Sequence, residues 1–323
     1  MRDVPARSES HGNDGSENSD SRAGKDARDG RDGAGRGGHA ARRSFLGGAA
    51  ALGGAMALGA ALPRTAHAAA QAAAGQGTAR PAPAAATWED VINGSFGSYA
   101  AFEAEWNYRY PWGSDHNGSA RMYGSSTDHN HIYLNSGVLT LQATRITWDE
   151  GTSSSTPHLP IRYHSGAVHA KNQIVVTDQF PDYEVKGEFQ APSGAGTWPA
   201  FWLTGVNSWP PESDILEFKG NTNNWFNTFR TSSDVSTTIV GVSSPGSWHT
   251  YRAWITKVSA TDVDIHYYLD GTWKAVHRGA GFVGKPLWLI INLQMEGSSG
   301  SSGPGGDTFY RARNVYVGRN RTA

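Results

Sequence analysis

The chain predicts an all-β sandwich, and three observations carry that expectation. Its 323 residues hold 40 Gly, 12 Trp, 12 Tyr and 11 Phe but only 18% charged residues, a composition suited to turns, strands and flat aromatic surfaces. From Trp88 onward, short apolar-polar alternations are separated by turn residues at fairly even spacing. No segment longer than two turns repeats at the helical period.

Taken in order, "GVLTLQATR" reads as a strand, and "YEVKGEFQ" alternates Tyr183, Val185, Gly187 and Phe189 against Glu184, Lys186, Glu188 and Gln190, a half-buried strand with a charged outer face. "WPAFWLT", "WHTYRAWIT", "PLWLIINLQ" and "RARNVYV" read as further strands. "VDIHYYLDGTWKAVH" places Val263, Ile265, Tyr267 and Leu269 on one face and turns at Asp270-Gly271 into Trp273 and Ala275. A span of roughly 235 residues in this style fits one sandwich domain, expected over 88–318 with a short tail at 319–323.

The formal net charge is -1 and the pI about 6.9, so no global field favours nucleic acid or an anionic membrane. The absence of cysteine excludes disulfides, thiolate metal sites and cysteine nucleophiles. Residues 1–40 alternate Arg, Asp, Gly and Ser with almost no large apolar side chain, which predicts a disordered polar lead. Over 41–68, Arg42-Arg43 precede a small-residue apolar run that ends in Ala66-His67-Ala68, and the segment resembles a twin-arginine signal peptide. An Ala/Pro/Gly linker follows over 69–87. The expectation is a secreted, extracellular, monomeric protein with no membrane attachment once the signal is removed.

The chemistry centres on "WPPESDILEFKG". Residues two apart in a strand share a face, so Glu212 and Asp214 point together while Glu217 points away. A β-bulge at Ile215-Leu216, both apolar and able to turn into the core, would return Glu217 to the face of the other two. Three crowded carboxylates repel, so at least one pKa rises, and a protonated acid beside an ionised one is what glycoside hydrolysis uses. Trp198, Trp202, Trp209 and Trp225 lie close by in sequence, and exposed aromatics stack on sugar rings.

"GTWPAFWLTGVNSWPPESDILEFKG" resembles the active-site segment of glycoside hydrolase family 16, the laminarinase, lichenase and agarase group, and the similarity runs over roughly 88–318. The resemblance implies a concanavalin-type jelly roll of two curved antiparallel sheets with a cleft on the concave face. It also implies an endo-acting, retaining hydrolase of a polysaccharide, with Glu212 as nucleophile, Glu217 as acid/base and Asp214 tuning the pair. Trp202 matches an aromatic of the cleft, and Asn292 and Gln294 lie on the strand matching the one that faces the acids. No cofactor is implied. Ser213 stands where the family places an aliphatic residue, "NWFNTFRTSS" lacks a histidine found in laminarinase-like members, and Arg313 replaces an aspartate that helps hold calcium.

His129 and His131 could place two imidazoles on one side of a strand, but no third metal ligand is identifiable, and no metal site is expected. Two other readings stay open on the residues. One is a non-catalytic glycan-binding jelly roll that keeps the acids as hydrogen-bond acceptors. The other is a polysaccharide lyase on a similar fold, which would need a Tyr or His base.

Overall fold

The structure, a computed structural model, describes residues 87–94 and 96–322. The expectations for the polar lead 1–40, the signal segment 41–68 and the linker as far as residue 86 lie outside the described residues.

Two stacked sheets form the domain, as the alternating strands require. The cleft sheet has seven strands in the spatial order Val235–Gly241, Asn223–Phe229, Glu212–Glu217, Thr197–Gly205, Leu287–Met295, Ala167–Ala170 and Trp106–Tyr108. The outer sheet has ten, running Thr272–Gly279, Val263–Leu269, His249–Lys257, Asp182–Gln190, Thr308–Arg321, Val138–Arg145, Tyr163–Ser165 and Ala120–Met122. Thr87–Asn93 is added on Thr308–Arg321, and Ile132–Asn135 on Val138–Arg145. Neighbours pair antiparallel except Ala120–Met122 with Tyr163–Ser165. Among the described residues, helix is confined to Tyr99–Glu105, capped by Ser98 Oγ accepting from Ala101 N at 3.2 Å, and a 3-10 turn at Gly297–Ser299. The Asp270-Gly271 turn has positive φ at both positions (51° and 72°), as a two-residue hairpin needs.

Alternation then decides what fills the space between the sheets. Phe201 and Leu203 of the cleft sheet and Val185 and Phe189 of the outer sheet are fully buried. Phe189 meets Phe201 at 4.7 Å between ring centroids, and Phe226 meets Tyr267 at 4.9 Å, so aromatic pairs lock the layers face to face. The opposite face of the outer sheet carries charge in pairs: Arg252 with Glu184 at 2.5 Å, Arg313 with Glu188 at 2.7 Å and Arg319 with Glu89 at 3.0 Å.

The tail expected at 319–323 is corrected. The last strand runs to Arg321 and pairs with Thr87–Asn93, with one register shift between Asp90 and Ile92, and Arg319 and Arg321 both bond Glu89 and both lie over the Phe180 ring. Arg313 spends its guanidinium on Glu188 and on the face of Trp248, 4.2 Å away. Among the described residues no group of three or more His, Asp or Glu side chains is arranged to hold a metal ion, and no helix is long and apolar enough to cross a membrane. His129 instead stacks on Tyr99 at 3.7 Å, and His131 Nδ1 bonds the carbonyl of Gln142 at 2.9 Å.

Candidate active site

The acidic strand is bulged where its parity demanded it. Pairing with Thr197–Gly205 proceeds Glu212 to Thr204, Ser213 to Leu203 and Asp214 to Trp202, then skips Ile215 and resumes with Leu216 to Phe201 and Glu217 to Ala200. Ile215 and Leu216 are both fully buried in the core. Glu212, Asp214 and Glu217 all line one cleft of about 800 Å³.

A bulge frees backbone groups that must be paired elsewhere. Asn224 of the neighbouring strand does this: its Oδ1 accepts from Glu217 N at 3.0 Å and its Nδ2 donates to Ile215 O at 3.4 Å. Ser213, the departure behind the acids, is held from the core side. Its hydroxyl bonds Tyr267 OH at 2.7 Å, Thr228 Oγ1 bonds the same phenol at 2.7 Å, and the phenol donates to Asn227 O at 2.9 Å. The chain continues through His277, kept neutral by burial that lowers its pKa to about 4, to Thr238 Oγ1 at 2.9 Å. An aliphatic residue at 213 would leave that buried phenol short of a partner.

Every acid is held by donors, one of them shared. Trp209 Nε1 donates to Glu212 Oε2 at 2.8 Å. Asn227, directly across from Asp214 in the register, donates one Nδ2 to both Asp214 Oδ2 (2.8 Å) and Glu217 Oε2 (2.9 Å). Trp198 Nε1 donates to Glu217 Oε1 at 2.7 Å, and Lys219 Nζ pairs with Glu217 Oε2 at 3.0 Å while lying 4.7 Å over the Trp225 ring. Burial pushes Glu212 up to about 8; the charge of Glu217 adds to this, while the Trp209 N–H and Lys219 oppose it. Asp214 is raised well above the carboxylate range by burial first, then by the charges of Glu212 and Glu217.

The tryptophans divide in a way their spacing does not reveal. Trp198 and Trp202 form the cleft floor but are only 7% and 6% exposed, since the first holds Glu217 and the second donates Nε1 to Asn292 Oδ1 at 2.7 Å. The open aromatic surface belongs to Trp209, 53% exposed, and to Trp112, 46% exposed, which meets Trp202 edge-on at 6.1 Å. Trp225 lies beneath Lys219, outside the cleft wall. Asn292 lines the cleft as well, and its Oδ1 orients Trp202. Gln294 lines the cleft with its amide held by the backbone: its Oε1 accepts from Ala120 N at 2.8 Å and Met295 N at 2.9 Å, and its Nε2 donates to Ala120 O at 3.1 Å. Asn227, Lys219, Phe229, Trp112 and His116 join the site without having been singled out in the sequence. Only the register Asp214 to Asn227 could have pointed to the first, and register is not written in one strand alone.

No protein-family model matches the chain. It is 51% identical over 224 residues to a galactan endo-β-1,3-galactanase of Flammulina velutipes, covering 69% of this chain and 88% of that protein. Among solved structures it resembles the endo-1,3-β-glucanase of Streptomyces sioyaensis, with TM-score 0.58 and 19% identity over 75% of this chain and 99% of that one. It also resembles a non-specific endo-β-1,3(4)-glucanase of glycoside hydrolase family 16, with TM-score 0.55 and 18% identity over 74% of this chain and 95% of that one. At such identities the two structures speak for a shared fold.

A jelly roll with three carboxylates in an aromatic cleft, joined to a relative half identical across most of its length, defines an endo-acting glycosidase that hydrolyses O-glycosyl bonds. The chain belongs to glycoside hydrolase family 16.

Proposed function

We propose that the protein is an exported, retaining endo-β-1,3-galactanase in which Glu212 is the nucleophile and Glu217 the acid/base. The observation that carries this reading is the bulge, which turns Glu217 onto the face of Glu212 and leaves both carboxyls in one cleft. Retaining enzymes need the two groups close, because no water has to fit between nucleophile and sugar in the first step.

Donor placement suggests which oxygens act. Glu212 Oε2 is engaged by Trp209, which leaves Oε1 to attack the anomeric carbon once the carboxyl, raised to about 8 by burial, has given up its proton. Glu217 Oε2 already accepts from Asn227 and Lys219, so Oε1, with Trp198 as its single donor, has the lone pair that can carry the proton to the leaving oxygen. Once the glycosyl-enzyme forms, the same oxygen takes a proton from water, which attacks the anomeric carbon and releases Glu212.

β-1,3-Galactan is the substrate supported by the 51% identical relative, and export by the twin-arginine route rests on residues 41–68. The test is a reducing-end assay on β-1,3-galactan, β-1,3-glucan and mixed-linkage glucan. New ends from galactan, released as a ladder of oligosaccharides, are expected; folded enzyme that cuts only glucans would overturn the substrate, and one that cuts none would overturn the function.

A further inference from the structure

The cleft lining contains a polar side chain that the reaction as described does not use. His116 sits on the loop 109–119 and lines the cleft among four aromatic rings, with centroids of Tyr110, Trp112, Trp202 and Trp198 at 5.2, 5.4, 5.8 and 6.3 Å. The imidazoles of His131, His164, His169 and His277 each hold a protein partner. Among the described residues no protein group hydrogen-bonds the ring nitrogens of His116, and they are not sealed away from the cleft. Packing alone would favour Phe or Leu at such a position, since a half-buried polar atom without a partner costs free energy.

The chain nevertheless fixes this residue firmly. Ser153 Oγ donates to the carbonyl of His116 at 2.5 Å, and Trp112 Nε1 donates to the carbonyl of Asp115 at 3.1 Å. The Asp115 carboxylate takes two N–H groups of Arg121, at 2.8 and 3.1 Å, and the amide of Ser154 at 2.9 Å. That pairing holds Asp115 down to about 2, so the clamp persists across the working range of pH. Burial holds the imidazole neutral, with a pKa lowered to about 4. A neutral imidazole offers one donor and one acceptor, the complement of a sugar hydroxyl, which also offers both.

We infer that His116 is a specificity-determining residue that hydrogen-bonds a hydroxyl of the bound galactosyl unit, and that it serves the discrimination between galactan and glucan. The inference rests on the galactanase reading above. Those two polymers differ at the C4 hydroxyl, axial in galactose and equatorial in glucose, and a fixed donor-acceptor pair distinguishes them where a flat indole distinguishes them poorly. A site built to bond a hydroxyl is penalised when that hydroxyl points elsewhere, because its own polar atoms are then left unpaired.

The experiment measures Kd by calorimetry for a β-1,3-linked galactose trimer and a β-1,3-linked glucose trimer on the inactive Glu212→Gln protein, with and without His116→Phe. Galactan turnover by the wild-type enzyme is the control on the underlying reading. The inference predicts that His116→Phe weakens the galactose trimer by ~10- to 100-fold and the glucose trimer by less than about twofold. His116→Gln, which restores a donor and an acceptor, should recover part of the loss and guards against a folding defect in the Phe variant. An equal loss for both trimers, or no loss for galactose, overturns the inference even if wild-type enzyme cuts galactan. Failure of wild-type enzyme to cut galactan overturns the substrate reading first.

Discussion

The two sheets treat their carboxylates in opposite ways. On the outer sheet Glu188 accepts from Asn314 and from Arg313, which together hold its pKa below the ordinary value. On the cleft sheet Glu212 is raised to about 8 and Asp214 well above its ordinary value, by burial first and neighbouring charge second, with Lys219 the one cation among the cleft-lining residues. Outer-face acids sit beside arginines in water, where charge is cheap and adds little. Cleft acids are crowded together out of water, where charge is costly and chemically potent. Strand physics is the same in both sheets; what differs is the bulge and the walls that loop 109–119 and Trp209 raise around it.

The largest expected effect is on turnover. Glu212→Gln keeps the shape and removes the nucleophile, and kcat should fall by ~10⁴-fold or more with binding retained. Loss of less than tenfold would move Glu212 from the reaction to the scaffold.

Next comes the bulge itself. Asn224→Leu fills the same space but strands Glu217 N and Ile215 O in the core, each costing about 1–3 kcal/mol. Tm should fall by about 5–15 °C, and kcat should drop even well below the melting range as Glu217 leaves its partners. An unchanged kcat would mean that the bulge is held without Asn224.

The contrast between the sheets also appears in the pH dependence of stability. Between the ordinary carboxylate pKa and about 8, the unfolded chain has released the Glu212 proton and the native protein has kept it. Native stability linked to this group is therefore complete below the ordinary value and is lost as pH rises through about 8. Glu212→Gln should raise Tm more at pH 8.5 than at pH 5, as read by calorimetry; an equal gain at both would show that Glu212 ionises freely in the native state. The smallest effect has the opposite sign. Glu188→Gln removes a pair present at neutral pH and lost as pH falls through its lowered pKa, so it should lower Tm near pH 7 by a few degrees at most, about 1 kcal/mol or less, and by nothing at low pH.

Much of this was legible in the sequence, for identifiable reasons. The bulge followed from parity: Glu217 lies five positions after Glu212, and the two residues between Asp214 and Glu217 are apolar. The candidacy of Trp198 and Trp202 followed from their closeness to the acids in sequence. Their burial did not follow, because it depends on Asn292, on Glu217 and on a loop far away in the chain. Asn227 was hidden in the register between two strands, and Trp112 and His116 in a loop with no periodicity at all. The boundary at 318 failed because Arg319 and Arg321 look like a charged tail until Glu89 and Phe180 are placed beside them.

The central claim is that the bulge brings Glu212 and Glu217 together as nucleophile and acid/base, and the stereochemistry of the first product tests it most directly. Proton NMR of freshly cleaved β-1,3-galactan should show the β-anomer of the new reducing end appearing first, with the α-anomer growing in later by mutarotation. Initial release of the α-anomer would mean inversion, with a water between the two carboxyls, and would contradict the account.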